Sequence, residues 1–470
     1  MLFTSSIFLY AYLPGVLAVF FFFNRYKALA FLVIPFLILA SFVFYGYKDP
    51  SDVVLIVVSI LTNYFISYCI RVSLHKTLFF WIGIFFNLGL LFYFKYSNFF
   101  LANVSLINGN HFDVKNIALP LAISFYTFQQ IAYLADIKKG LVKDTSLKSY
   151  VLFVTFFPQL IIGPIVHHKE MMPQFLSKKF GHFSFDCFVI GVLYLFAGLC
   201  KKLFLSDYCA QIVDPIHSDI INGTIVTFAD SWASAFAFSF QIYFDFSGYT
   251  DMAIGIAYMM GIKLPFNFDS PYKSRNITVF WRRWHMTLSR WLRDYLYIPL
   301  GGNSRGPARA AINALIVFLL GGLWHGAAWT FVLWGLLQGL GITISRLAKY
   351  LKISFPMIVA VGITFFFITL SWVIFRAVSI EVAAELYSIM FGLSGFDLSV
   401  RDIVRSNAII LLAAAIISFL LPNTHIWIPK LAYYGQKIPK PALISIMTVF
   451  WLFFLAFDLD SSAEFIYFDF

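Results

Sequence analysis

Charge is what this chain has least of. Only 12% of its 470 residues are Asp, Glu, Lys or Arg and 60% are hydrophobic, against roughly 25% charged in an ordinary soluble domain. A surface built from this composition cannot mostly face water, which excludes a soluble domain. Cysteine is scarce as well. Cys69, Cys187, Cys200 and Cys209 lie in or beside apolar segments and form no C-x-x-C pair, so packing is their expected role. No Walker-type or dinucleotide loop occurs. No G-x-S-x-G occurs either, so a serine nucleophile on a strand-to-helix turn is not indicated. Carboxylates, cysteines and histidines lack metal-site spacing, and His167-His168 alone is weak evidence, so no metal is expected. Internal repeats, direct or inverted, are missing too, which weakens a transporter reading.

What fills the chain instead is a series of apolar runs long enough to cross a bilayer, about 17–25 residues each. The first four run from Ile7 to Phe23, Leu29 to Tyr45, Val53 to Ile70 and Leu78 to Phe94. The expectation is an all-α integral membrane protein with about 11 spanning helices, some later segments being re-entrant. It reads as one polytopic domain, with peripheral spans over 1–96, a core over 117–346 and closing spans over 355–470. Arg25 and Lys27 follow the first run rather than precede it and no A-x-A site comes after, so the first helix is expected to stay. The net charge of +11 does not call for nucleic acid, because the Lys and Arg sit in short loops between spans. Arg25 and Lys27, Arg71 and Lys76, and Lys138, Lys139, Lys143 and Lys148 fall in alternate loops and are assigned to the cytoplasm. The loops around Lys48 and Asp49 and from Ser97 to Asn116 are assigned outside, with the N-terminus. The partner implied by composition is the lipid bilayer.

From Leu119 onward the runs are interrupted. LPLAISFYTFQQIAYLAD holds Pro120, Gln129 and Gln130, and FFPQLIIGPIVHHKEMMPQF holds Pro158, Gly163, Pro164 and Pro173. Such breaks have to be buried in protein or line a cavity, so function is sought in the middle of the chain. There, His325 lies in LLGGLWHGAAWTFVLWG as the only ionisable side chain between Arg309 and Arg346. Burial disfavours the imidazolium and keeps a ring able to accept a proton, which suits a general base. Gly321, Gly322 and Gly326 leave room for close approach, and Trp324 and Trp329 offer apolar walls. A core histidine bonded to a neighbouring helix is the competing reading.

A second constellation runs from Arg275 to Tyr297. At helical spacing Phe280, Trp284, Leu288, Trp291 and Tyr295 share one face while Thr278, Arg282, Ser289 and Arg293 share another, predicting an amphipathic helix with His285 near the border. His285 either points into a polar cavity or stacks among tryptophans. Arg282, Arg283, Arg290 and Arg293 would meet the phosphates of an anionic donor or anchor lipid head groups. Asp245 and Asp251, in FSFQIYFDFSGYTDMAIG, need partners, expected among those arginines.

Taken in order, LPLAISFYTFQQIAYLAD, FPQLIIGPI, FDFSGYTDMAIGIAYMMG, FNFDSPYKSRNITVFWRRWHMTLSRWLRDYLYIPLGGN and GGLWHGAAWTFVLWG resemble the membrane-bound O-acyltransferase family. The nearest branch holds the membrane subunit of alginate O-acetyltransferase and the peptidoglycan O-acetyltransferases. The resemblance extends from the N-terminal spans to the closing FIYFDF. It implies a ring of tilted helices around a central funnel, His325 as the catalytic histidine and His285 as a second active-site residue. It also implies acetyl-CoA as donor with no bound cofactor, an exported polysaccharide as acceptor and a periplasmic acetyltransferase partner. Two positions depart from the branch: His167 follows GPIV where an arginine is common, and Gln338 stands where a histidine is frequent. Transfer of D-alanine to teichoic acid, a proton-coupled transporter or flippase, and an envelope scaffold are the competing functions.

Overall fold

A chain this apolar has to pair its backbone amides within each segment, and among the described residues it does so with helices and no strand. The computed structural model describes residues 1–109, 117–178, 180–435, 437–455, 457, 459, 463 and 465–468, with the backbone alone at 455 and 468. The outer loop expected from Ser97 to Asn116 is instead helical over Ser97–Asn108, and its 110–116 part lies outside the described residues.

The four N-terminal runs become the helical segments Phe8–Arg25, Lys27–Tyr45, Ser51–Val72 and Lys76–Asn108. Phe185–Ile221, Gly306–His325, Trp329–Tyr350 and Met357–Arg376 bring the candidate spans among the described residues to eight, or nine if Ala408–Phe419 and Thr424–Gly435, bent by 86° at their junction, count as one. Shorter helices make up the interrupted middle, and Lys440–Phe454 is a further short apolar helix. Ile123–Lys138 is 16 residues long, Leu147–Thr155 nine and Phe157–Leu160 four. Phe228–Met259 is 32 residues long but carries Asp230, Gln241, Asp245 and Asp251. Of the cysteines, only Cys209 is buried, Cys69 and Cys187 are half-buried, and Cys200 is exposed.

The helices group into two units. The first comprises Met1–Ala197, Tyr249–Phe266 and Ile428–Ser462. Several of its buried polar groups pair across helices, which offsets the cost of burying them. The Asn63 and Asn87 amides exchange hydrogen bonds of 2.6 and 3.2 Å, Gln130 donates to Ser59 Oγ at 2.9 Å, and the Tyr150 hydroxyl donates to Gln130 Oε1 at 2.9 Å. The proline- and glycine-broken stretch from Leu152 to His168 is buried at every residue, as a break in hydrocarbon requires.

The second unit comprises Gly198–Gly248, Asn267–Trp427 and Ala463–Phe470. Its centre is an antiparallel pair, Gly306–His325 and Trp329–Tyr350, joined by the short link from Gly326 to Ala328. Glycines let the two backbones touch. A Cβ at Gly322 would run into the Phe331 carbonyl, one at Gly335 into the Phe318 carbonyl, and one at Gly339 would lie 3.1 Å from Leu315 Cα. Close approach of this kind, through small residues, is the usual route to helix association where apolar burial gives no driving force. Gly322→Val should therefore destabilise the purified protein by about 2–3 kcal/mol through overpacking against backbone that cannot yield. A thermal-shift measurement checks this. Gly362→Val, where a Cβ meets open space, is the control expected to be neutral.

Candidate active site

His325 is the last residue of its helix and is 4% exposed. The chain turns at Gly326, where a Cβ would collide with the Phe331 ring, so the glycine lets the second helix begin close by. Around the imidazole stand Trp324 at 4.9 Å between ring centroids, Trp334 at 5.1 Å, Phe375 at 5.4 Å and Tyr467 at 5.6 Å. Behind Trp334, Gln338 accepts from Trp281 Nε1 at 3.0 Å and donates to Ser371 Oγ at 2.8 Å. The glutamine that departs from the branch pattern thus has a structural task, tying three helical segments together.

The single amphipathic helix expected over 275–297 does not form. Helix Ile277–Trp281 ends, the backbone at His285 turns left-handed with φ 41° and ψ 54°, and Met286–Leu292 starts afresh before a π-helical turn, Arg293–Tyr297. The cause lies upstream. The Asn267 carbonyl accepts from Met286 N at 2.9 Å, its side chain accepts from Thr287 N at 3.3 Å and Thr287 Oγ1 at 2.6 Å, and Asp269 N donates to the Arg283 carbonyl at 3.0 Å. Asn267 thereby takes over amides that a continuous helix would have paired internally. A non-glycine residue in this region costs on the order of 1–3 kcal/mol and persists only where its surroundings hold it.

The break turns His285 inward. It is fully buried, edge-on to Phe246 at 4.7 Å and 6.3 Å from Trp324, and neither ring nitrogen has a hydrogen-bond partner among the described residues. His285 lies outside the candidate membrane spans, and burial pushes its imidazole down to about 3. It stays neutral, with one donor and one acceptor to offer. Trp324 lies beside both histidines.

Asp245 does not pair with an arginine, contrary to expectation. It is fully buried and accepts Lys202 Nζ at 2.8 Å; Lys202 also reaches Asp207 at 2.9 Å. Lys202 is the cation that the fold brings to it, and a buried carboxylate needs one at hand. The other oxygen of Asp245 accepts from Ile466 N at 2.9 Å. This bond ties the C-terminal residues to the site, because Tyr467 then packs on Phe246 at 4.8 Å as well as on His325. Asp251 belongs to the first unit and is buried there.

The arginines stay at the periphery. Arg282 and Arg293 are exposed, Arg283 and Arg290 half-buried; Arg293 pairs with its neighbour Asp294 at 2.7 Å and Arg283 lies 3.9 Å from Asp269. Of the site residues expected from sequence, the fold thus gathers His325, His285, Trp324 and Asp245, and leaves the arginines outside that cluster.

Residues 69–351 match the model of the membrane-bound O-acyltransferase family. The chain belongs to this family. It is 42% identical to a peptidoglycan O-acetyltransferase of Helicobacter pylori, over 85% of this chain and 81% of that one. It is 37% identical to a probable alginate O-acetylase of Pseudomonas putida, over 85% and 82%. A teichoic acid D-alanyltransferase of Bacillus subtilis is 29% identical over 56% of this chain and 70% of its own length. The protein is therefore a multi-pass membrane O-acyltransferase.

Within this membrane-bound O-acyltransferase, Tyr467 is the site residue that sequence reasoning passed over. Its only local signal was an aromatic cluster at the very end of the chain, with nothing to say that Asp245 would capture the preceding amide. The ion cluster that does so is open to test. Lys202→Met leaves the buried Asp245 and the half-buried Asp207 without their cation and should cost about 3–5 kcal/mol. Adding Asp207→Asn and Asp245→Asn should recover most of it, as read from thermal unfolding in detergent.

Proposed function

We propose that the protein transfers acetyl from cytoplasmic acetyl-CoA toward hydroxyl groups of an exported envelope polysaccharide, with His325 as general base, in the bacterial cytoplasmic membrane. The observation that carries this reading is the pairing around Trp324. His325 is buried at the junction of two glycine-packed helices, and His285 beside the same indole has no hydrogen-bond partner for either nitrogen among the described residues.

In the proposed reaction the neutral His325 takes the proton of the acceptor hydroxyl as its oxygen attacks the thioester carbonyl. The C–O bond forms, negative charge builds on the carbonyl oxygen, and the N–H of His285 donates a hydrogen bond to it. Collapse breaks the C–S bond, and the thiolate receives the proton from the His325 imidazolium. The aromatic walls exclude water, which would otherwise hydrolyse the thioester and weaken each of these electrostatic contacts.

Peptidoglycan is the acceptor to test first, since the peptidoglycan enzyme named above shares more identity than the alginate one, and a periplasmic acetyltransferase partner would complete delivery. D-alanyl transfer is less well supported, because the teichoic acid enzyme aligns with little more than half of this chain.

Purified protein given labelled acetyl-CoA should release CoA and transfer label, and should leave a D-alanyl carrier protein unused. His325→Ala should lower transfer by about 10²–10⁴-fold. Near wild-type transfer by that variant would remove His325 from the mechanism. The pH profile separates the two histidines. A base acts unprotonated, so kcat/KM should fall as pH drops through the pKa of His325, whereas His285, neutral down to about 3, adds no step in the assay range. His285→Gln should lower kcat by about 10²-fold without moving the acid limb. A shifted limb would assign that titration to His285.

A further inference from the structure

The arginines that stay outside the histidine cluster belong to a second grouping, within the same unit. Segment 269–273 and segment 421–425 are tied together: Lys273 Nζ donates to the Leu421 carbonyl at 2.5 Å, and His425 Nε2 lies 3.6 Å from Asp269 Oδ1 while its Nδ1 lies 3.1 Å from Asn423 Oδ1. Arg283 reaches the same Asp269 carboxylate only at 3.9 Å, and Arg282 is exposed with no ion-pair partner among the described residues. Lys273 and Arg283, with His425 beside them, thus gather around one carboxylate. Partial burial, and then the charge of Arg283, push the Lys273 ammonium below its usual range, as expected when cations crowd without enough anion to balance them.

The grouping is joined to the histidine by backbone. Asp269 N bonds the Arg283 carbonyl, and two residues before Asp269 the Asn267 carbonyl accepts from Met286 N, three residues after Arg283 and next to His285. An anion held by Arg283 and Lys273 therefore lies at the outer end of the same backbone pairing that fixes the buried imidazole.

We infer that Lys273 and Arg283, steadied by Asp269 and His425, form a phosphate-ester site that holds the nucleotide end of the acyl donor. The inference rests on the acetyl-CoA reading for the donor, but the chemistry it names, a phosphate ester on a guanidinium and ammonium cluster, is shared by anionic lipid head groups. Guanidinium forks match phosphate oxygens in pairs, and partial burial limits screening by salt.

The test uses the full-length protein in phosphatidylcholine nanodiscs, with adenosine 3′,5′-bisphosphate as a soluble probe and phosphatidylglycerol nanodiscs as the lipid arm. The bisphosphate is expected to bind and to compete with acetyl-CoA. Lys273→Gln and Arg283→Gln should each raise KM for acetyl-CoA by about 10-fold or more with kcat within about 2-fold, and should leave acetyl-pantetheine, which lacks the nucleotide, unaffected. Loss of bisphosphate binding in these variants assigns the site to the donor. Loss of inhibition by phosphatidylglycerol, with KM for acetyl-CoA unchanged, assigns it to lipid and overturns the donor role. If both probes bind the variants as they bind the wild type, there is no phosphate site. Should the wild type bind the bisphosphate yet transfer nothing from acetyl-CoA, the donor reading fails while the site stands.

Discussion

Two helices that touch backbone to backbone hold the rest of the site in place. Because Gly322, Gly335 and Gly339 put no side chain between Gly306–His325 and Trp329–Tyr350, the link between them is short and His325 ends one helix under the aromatic wall of the next. Trp334, Phe375 and Trp324 can then close on the imidazole from several sides. A side chain at Gly322 would separate the helices and open that wall at once.

Around this pair the chain accepts two costs, and each fixes a side chain of the candidate site. The left-handed backbone at His285 is held by Asn267, and it turns inward a histidine that a regular helix would have left near the polar border. The buried Lys202 and Asp245 pair is expensive to desolvate, yet Asp245 also captures the Ile466 amide and so brings Tyr467 to the imidazole. In a low-dielectric site such polar groups set positions more firmly than apolar packing alone.

Much of this was legible in the sequence, for physical reasons that also mark where reading fails. Long apolar runs have one solution in a bilayer, so the first three spans emerge within a few residues of expectation, and the fourth begins where expected but runs on to Asn108. An isolated histidine flanked by glycines identified His325 as a candidate, and ordered motifs made it a member of a family. Contacts distant in sequence were not legible. The period of the 275–297 segment looks helical because the amides withdrawn from it are paired by Asn267, which no local pattern reports. Arginines were expected to pair with Asp245 because they are the evident cations, whereas the actual partner, Lys202, sits within the candidate span Phe185–Ile221. Tyr467 came to the site through a single backbone hydrogen bond to a residue far upstream.

The central claim is that the His325 imidazole itself moves the proton. Chemical rescue tests it most directly: His325→Gly leaves a space at the end of the first helix, and transfer from labelled acetyl-CoA is followed as imidazole is added. The account predicts negligible transfer without imidazole and a saturable recovery with it that is absent for His285→Gly. High transfer by His325→Gly without imidazole would contradict it.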